Sequence, residues 1–255
     1  MNKYIVSRDD ELGIVWFTIN RPDKRNAIDY DVMDGLALTI SEVEKEENDK
    51  ILVITGAGDK AFCAGGDLTA FQTLFTQEDA YQMLSKMGTI LYSLATLSKP
   101  TVALLNGLAI GGGCELATAC DYRLASSGSR VGFVQGSLGI TTGWGGASLL
   151  LERVPSTTAL EMLLSGSIYS AQEAYELGFI NQLVSANDTL GESNHFITSN
   201  IAHSTKVINA YKKVVNTKFN STGLKERMFE EIKECSRLWA SEEHHKAVYK
   251  FIQKN

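Results

Sequence analysis

The sequence predicts an α/β fold closed by a helical C-terminal region. Three observations carry that prediction. Between residues 51 and 120 a strand, a glycine-rich loop and a helix follow one another twice. Both strands are short unbroken apolar runs, the pattern of strands covered on both faces. From Ser156 onward the apolar residues recur at helical spacing.

Element by element, Gly13-Ile14-Val15-Trp16-Phe17-Thr18-Ile19-Asn20 has the aromatic and β-branched content of a strand, and Arg21-Pro22 stops it. Asp29 reads as a helix cap, because Val32, Met33, Leu36, Ile40 and Val43 behind it form one apolar stripe. Ile51–Thr55 is the first covered strand, and its loop runs from Ala57 through Gly66. Thr76 and Asp79 spell a capping box ahead of a helix carrying Leu84, Met87, Leu91 and Leu94. Thr101–Leu105 is the second covered strand; Pro100 stands at its entrance, where a missing N–H does least harm. Asn106-Gly107-Leu108-Ala109-Ile110-Gly111-Gly112-Gly113 follows as a loop, and Cys114–Cys120 reads as the helix beyond it. Ser170 with Glu173 is another capping box, and Gly178 sits where that helix stops. After about residue 195 only helical pattern remains, so the expected division is a core over 1–195 and a helical region over 196–255.

Composition removes several classes of function. With 255 residues, only 3 Pro and 22 Gly, the chain is neither collagen-like nor Pro-rich and disordered. Its four cysteines form no C-x-x-C pair and too few bridges for a disulfide scaffold, which predicts reduced thiols. The first thirteen residues lack a secretory apolar run and no window spans a membrane, so a cytoplasmic protein with no membrane partner is expected. A net charge of −6 disfavours nucleic acid, whose phosphates need clustered Lys and Arg. That charge is uneven: residues 204–255 carry +5 and the remainder −11. A basic tail suits either a solvated helix face or a polyanionic small molecule.

Most motifs offer no chemistry. Gly56-Ala57-Gly58-Asp59-Lys60-Ala61 fits a dinucleotide pattern, but no helix starts inside it to face a pyrophosphate. Gly136-Ser137-Leu138-Gly139 is one residue short of a nucleophile elbow. The four His all lie in the tail without ligand spacing, so no metal is expected. The glycine loops are different. Gly111-Gly112-Gly113 strips every side chain from the approach to a helix's first turn, and Ala64-Gly65-Gly66 bares another amide after the neighbouring strand. Two amides aimed at one oxygen would make an oxyanion hole, each donor being worth about 10²–10³ in rate. Tight backbone packing is the competing explanation. Glu115, two residues past Gly113, would then lie close to that oxygen, where a charged cap is the plainer alternative.

Phe62-Cys63-Ala64-Gly65-Gly66-Asp67-Leu68 and the stretch from Lys99-Pro100 through Asn106–Leu116 resemble the crotonase (enoyl-CoA hydratase/isomerase) superfamily. Asn20-Arg21-Pro22 with Asn26-Ala27, Ser170–Ala174 with Leu177-Gly178, and the ending His244 through Lys254 are similar to it as well, so the resemblance runs nearly end to end. It implies a crotonase-type spiral of ββα units, an acyl-CoA thioester substrate with no cofactor beyond its CoA moiety, and homotrimers or dimers of trimers built with the C-terminal helices. It assigns the oxyanion donors to the N–H groups of Gly66 and Gly112, and the acid–base glutamate to Glu115. CoA contacts fall on Ala64, Asp67, Phe251 and Lys254. The second glutamate that hydrating members use falls on Gln135, whose amide can orient a water but cannot exchange its proton near neutral pH. Phe133-Val134-Gln135 with Leu138-Gly139-Ile140 and Trp144-Gly145-Gly146, together with Asp121-Tyr122-Arg123-Leu124, looks like the branch that contains ethylmalonyl-CoA decarboxylase. Three readings follow: hydratase or isomerase as the family's default, malonyl-type decarboxylase, and a non-catalytic acyl-CoA binder. Trp144 is either a core residue or a wall of the acyl pocket.

Overall fold

The computed structural model describes residues 2–254; the side chains of Phe251, Ile252 and Lys254 lie outside the described part. Two sheets are built by a spiral in which each turn adds one strand to each sheet. The larger takes β1 (Tyr4–Asp9), β2 (Ile14–Ile19), β3 (Ile51–Gly56), β5 (Thr101–Leu105), β7 (Tyr122–Ser126) and β10 (Gln182–Val184), in that spatial order. The smaller takes β4 (Ala61–Cys63), β6 (Leu108–Ile110), β8 (Arg130–Gly132) and β9 (Tyr169–Ser170). Apart from the β1–β2 hairpin and the β8–β9 pair, neighbouring strands are parallel. The helices between them are α1 (Tyr30–Lys45), α2 (Leu68–Phe71), α3 (Gln77–Ala95), α4 (Gly112–Ala119), α5 (Gly146–Leu150), α6 (Ser156–Ser165) and α7 (Ala171–Glu176). The C-terminal helices are α8 (Thr189–Asn200), α9 (Thr205–Ser221), α10 (Leu224–Trp239) and α11 (Glu242–Lys254).

The expected strands and caps hold. Asp29 accepts from Val32 N–H at the head of α1, and Ser170 with Glu173 completes the capping box of α7. The box at Thr76 is only half made: Thr76 accepts from Asp79 N–H, but the Asp79 carboxylate takes the Thr76 hydroxyl rather than its N–H. Two expectations need correction. Ala61–Cys63 and Leu108–Ile110 are strands β4 and β6, not loop, because three residues are too few to show a period of two. The helical region does not begin at 196 either; residue 195 falls inside α8, which starts at Thr189. The tail packs against the core. Phe219, Leu224, Met228, Ile232, Cys235 and Trp239 share one buried cluster with Phe17, Leu36, Leu91 and Leu116 of the core.

Two asparagines tie the spiral's loops together. Asn26, fully buried in a left-handed conformation (φ 55°), donates to the carbonyls of Ala57 and Ala61 and accepts from Arg21 N–H. Asn106 donates to the Gly56 and Gly58 carbonyls and accepts from Gly56 N–H. Main-chain groups at the end of β3, in its loop and at the start of β4 are thereby satisfied, and the loops after β3 and β5 are tied side by side.

Candidate active site

The two glycine loops meet. Gly65, at φ +94°, is a position that only glycine adopts without strain, and a Cβ there would stand 3.1 Å from the Gly112 nitrogen. Gly111 caps α4 with φ 56°, and every residue of α4 is buried. Gly113 presses on the end of β4 so closely that a Cβ would lie 2.0 Å from the Cys63 carbonyl oxygen. Close packing alone therefore requires glycine at 65 and 113. Gly112 supplies the first N–H of α4, which no intrahelical carbonyl can accept. Gly66 follows β4 and is half-buried.

Trp144 spans both loops. A Cβ on Gly112 would collide with its indole at 2.3 Å, and one on Gly66 would lie 3.5 Å from the same ring and 3.1 Å from Phe71. The indole is 4% exposed, so the two expectations for it merge: a core residue whose benzo edge is also the wall beside both glycines.

Glu115 is 2% exposed, on the buried helix α4. Its Oε2 accepts from Trp144 N–H at 2.8 Å and Gly146 N–H at 2.9 Å. Its Oε1 accepts from Gln135 Nε2 at 2.9 Å and Gly143 N–H at 3.2 Å. Burial pushes its carboxyl up from 4.5 to about 7 and the nearby Glu231 carboxylate adds to the rise, while the three main-chain donors oppose it. A carboxyl in that range exchanges its proton near neutrality, as a general acid or base requires.

Gln135 is therefore at the site and not on the surface: it is 8% exposed, and its Oε1 has no partner among the described residues. An unpaired buried acceptor is costly and marks a place where a donor from solvent or a ligand completes the set. Asp67 turns its carboxylate into the fold. Its Oδ1 caps α2 through Thr69 and Ala70 N–H, and its Oδ2 is paired with Arg21 at 2.6 Å. With both oxygens engaged inside the fold, this carboxylate holds the loop after Gly66. Ala64 is half-buried beside it, its N–H bound to the Arg25 carbonyl. Phe251 and Lys254 lie on α11, with side chains outside the described part.

Glu231, on α10, escaped sequence reasoning altogether. It accepts from Ala147 and Ser148 N–H and from the hydroxyls of Thr142 and Ser148, all in the turn that carries Trp144. Nothing local distinguishes it from the other charges of an amphipathic helix. A groove of about 1060 Å³ on the far side of the larger sheet, lined by Trp16, Thr55, Lys60, Asn106 and Arg130, contains none of these residues.

Fold and site together define a class: a two-sheet ββα spiral whose glycine loops and buried carboxyl converge behind one tryptophan. A family model for enoyl-CoA hydratase/isomerase matches residues 9–255. The chain is 30% identical over 217 residues to a short-chain-enoyl-CoA hydratase of Clostridium acetobutylicum, covering 85% of this chain and 82% of that one. It is 35% identical over 212 residues to an ethylmalonyl-CoA decarboxylase of Xenopus laevis, covering 82% and 70%. An enoyl-CoA hydratase/isomerase structure from Xanthobacter autotrophicus superposes with a TM-score of 0.89 at 23% identity, covering 99% and 93%, which is a likeness of fold. The chain belongs to the enoyl-CoA hydratase/isomerase family and has the crotonase fold. Among the described residues no helix is long and apolar enough to cross a membrane.

Proposed function

We propose that this chain acts on acyl-CoA thioesters through an enolate, and that its reaction is the decarboxylation of a malonyl-type thioester. The observation that carries the reading is the pairing of Glu115 with an amide, Gln135, at 2.9 Å, where water addition would call for a second carboxylate. The other carboxylate nearby, Glu231, binds Thr142, Ala147 and Ser148 and makes no contact with Gln135 or Glu115, so it does not stand where a second carboxylate would face Glu115.

Decarboxylation needs only the parts present. The C2–carboxylate bond breaks and its electron pair forms the C1–C2 double bond of an enolate as CO₂ leaves. Negative charge moves to the thioester oxygen, which the N–H groups of Gly66 and Gly112 hold. Glu115, protonated in part near pH 7, delivers a proton to C2 and regains one from solvent. Trp144 and Phe71 keep water from the carboxylate that leaves, while Gln135, whose Nε2 is held by Glu115, has its Oε1 free among the described residues to meet a donor there. The CoA moiety runs past Ala64 toward Phe251 and Lys254, and the +5 charge of residues 204–255 supports a phosphate-bearing ligand there. In the same reading the chain works in the cytoplasm as a homotrimer or dimer of trimers; the exposed Tyr211 and Val214 on α9 support a face covered by another copy.

Hydration is the second reading, supported by the name of the Clostridium relative, but it asks the Gln135 amide to act as a base. Mass spectrometry after incubation with crotonyl-, methylmalonyl- and ethylmalonyl-CoA separates the two. Loss of CO₂ from a malonyl-type ester, with little water added to crotonyl-CoA, is the expected result. Robust water addition without CO₂ loss overturns the reading, and binding without any product leaves a carrier.

A further inference from the structure

The turn from Thr142 to Ser148 is gripped from two sides. In front, Glu115 takes the N–H groups of Gly143, Trp144 and Gly146. Behind, Glu231 takes the N–H groups of Ala147 at 3.0 Å and Ser148 at 2.8 Å, with the Thr142 and Ser148 hydroxyls at 2.5 and 2.7 Å. Gly146, Ala147 and Ser148 are the first three residues of α5, and their N–H groups, which have no acceptor inside the helix, go to one carboxylate or the other. Burial pushes the Glu231 carboxyl up, and the two N–H donors, one on each oxygen, together with the Thr142 and Ser148 hydroxyls oppose that rise by favouring the ionised form.

We propose that Glu231 is a positioning residue for Glu115: it fixes the turn from behind so that the turn's amides fix the Glu115 carboxylate beside Trp144, and its charge acts on Glu115 across that turn. A plain helix cap would account for the bonds to Ala147 and Ser148 but would have no bearing on Glu115. The proposal differs because one rigid turn carries both sets of bonds. The other ionisable groups facing Glu115 are Cys114 on its own helix and Cys235 on α10, whose thiols burial pushes up and keeps neutral. Gln135, from the 3₁₀ turn, is uncharged. Glu231 is thus the charged neighbour that raises the Glu115 carboxyl.

The inference deepens the reading of Glu115 as proton donor, yet its test does not need turnover. The infrared carbonyl band of protonated Glu115 is followed against pH, with Glu115→Gln as the blank. Wild type should lose the band around pH 7, and Glu231→Gln should lose it about one pH unit lower, the like charge being gone. An unmoved midpoint overturns the proposal. Glu231→Asp keeps the charge on a shorter stem; its midpoint should stay within a few tenths of wild type while kcat on the accepted ester drops about tenfold. If Glu231→Gln does not fold, the Asp variant decides, and full kcat there overturns the positioning role. Should no ester turn over, the infrared titration still tests the inference, so its failure and that of the proposed reaction are told apart.

Discussion

Replacing Glu115 with glutamine should abolish turnover, and it should also change how stability depends on pH. In the folded chain the Glu115 carboxyl is raised to about 7, whereas an unfolded glutamate titrates near 4.5. Between those values the folded state keeps a proton that the unfolded state has released. Stability therefore falls as pH rises through this window, since the slope follows the protons bound by the unfolded state minus those bound by the folded. At about 1.4 kcal/mol per pH unit, the gap from 4.5 to about 7 amounts to roughly 3 kcal/mol, about 2.5 of it between pH 5 and pH 8. The glutamine has no proton to lose, and its amide can still accept from Trp144 and Gly146 N–H while Gln135 turns its carbonyl toward the new NH₂. Urea unfolding of both proteins at several values from pH 5 to pH 8 cancels, in the difference, the titrating groups that do not interact with Glu115. Wild type should lose stability against the variant by roughly 2–3 kcal/mol across the range. Parallel curves within about 0.5 kcal/mol would refute the reasoning, for the four donors on Glu115 would then have fully offset its burial.

Gly112→Ala places a methyl group 2.3 Å from the Trp144 indole, so thermal or urea unfolding should show a loss of about 1–3 kcal/mol, and kcat should fall about 10²–10³-fold as the amide is displaced. Gln135→Glu supplies the missing second carboxylate against Glu115; hydration of crotonyl-CoA, followed by loss of the enoyl absorbance, should rise at least about tenfold. The same variant should lose stability at high pH, because two carboxylates would then share one buried site. No rise in hydration would show that the register of Gln135 is not what separates this chain from two-glutamate enzymes.

Much of the site was legible because its parts are neighbours in the chain. Gly112 and Glu115 lie three apart on one helix, and Gly66 ends the equivalent loop of the preceding unit, so a repeated strand–loop–helix pattern suffices to bring them together. Gln135 was legible by counting forward between motifs. Asp67 shows the limit of such counting. Adjacency to Gly66 says nothing about where a carboxylate points, and the N-terminus of α2, which Asp67 itself caps, engages its oxygens together with Arg21. Strands β4 and β6 were missed for a related reason: three-residue strands set between glycine-rich loops gain their pairing from the neighbouring turn of the spiral, not from their own propensity.

What the sequence by itself determined are local matters: the covered strands, the caps at Asp29 and Ser170, the glycines bared before α4, and a carboxylate next to them. These follow from side-chain size, branching and hydrogen-bonding capacity within a few residues. Only the tertiary structure decided that Trp144 lies across both glycine loops and that α10 brings Glu231 behind the turn holding Glu115. Burial is a property of the packed molecule. The same glutamate in an exposed helix would keep an ordinary acidity, and the water that would solvate it is replaced here by four fixed donors, apolar walls and a second negative charge.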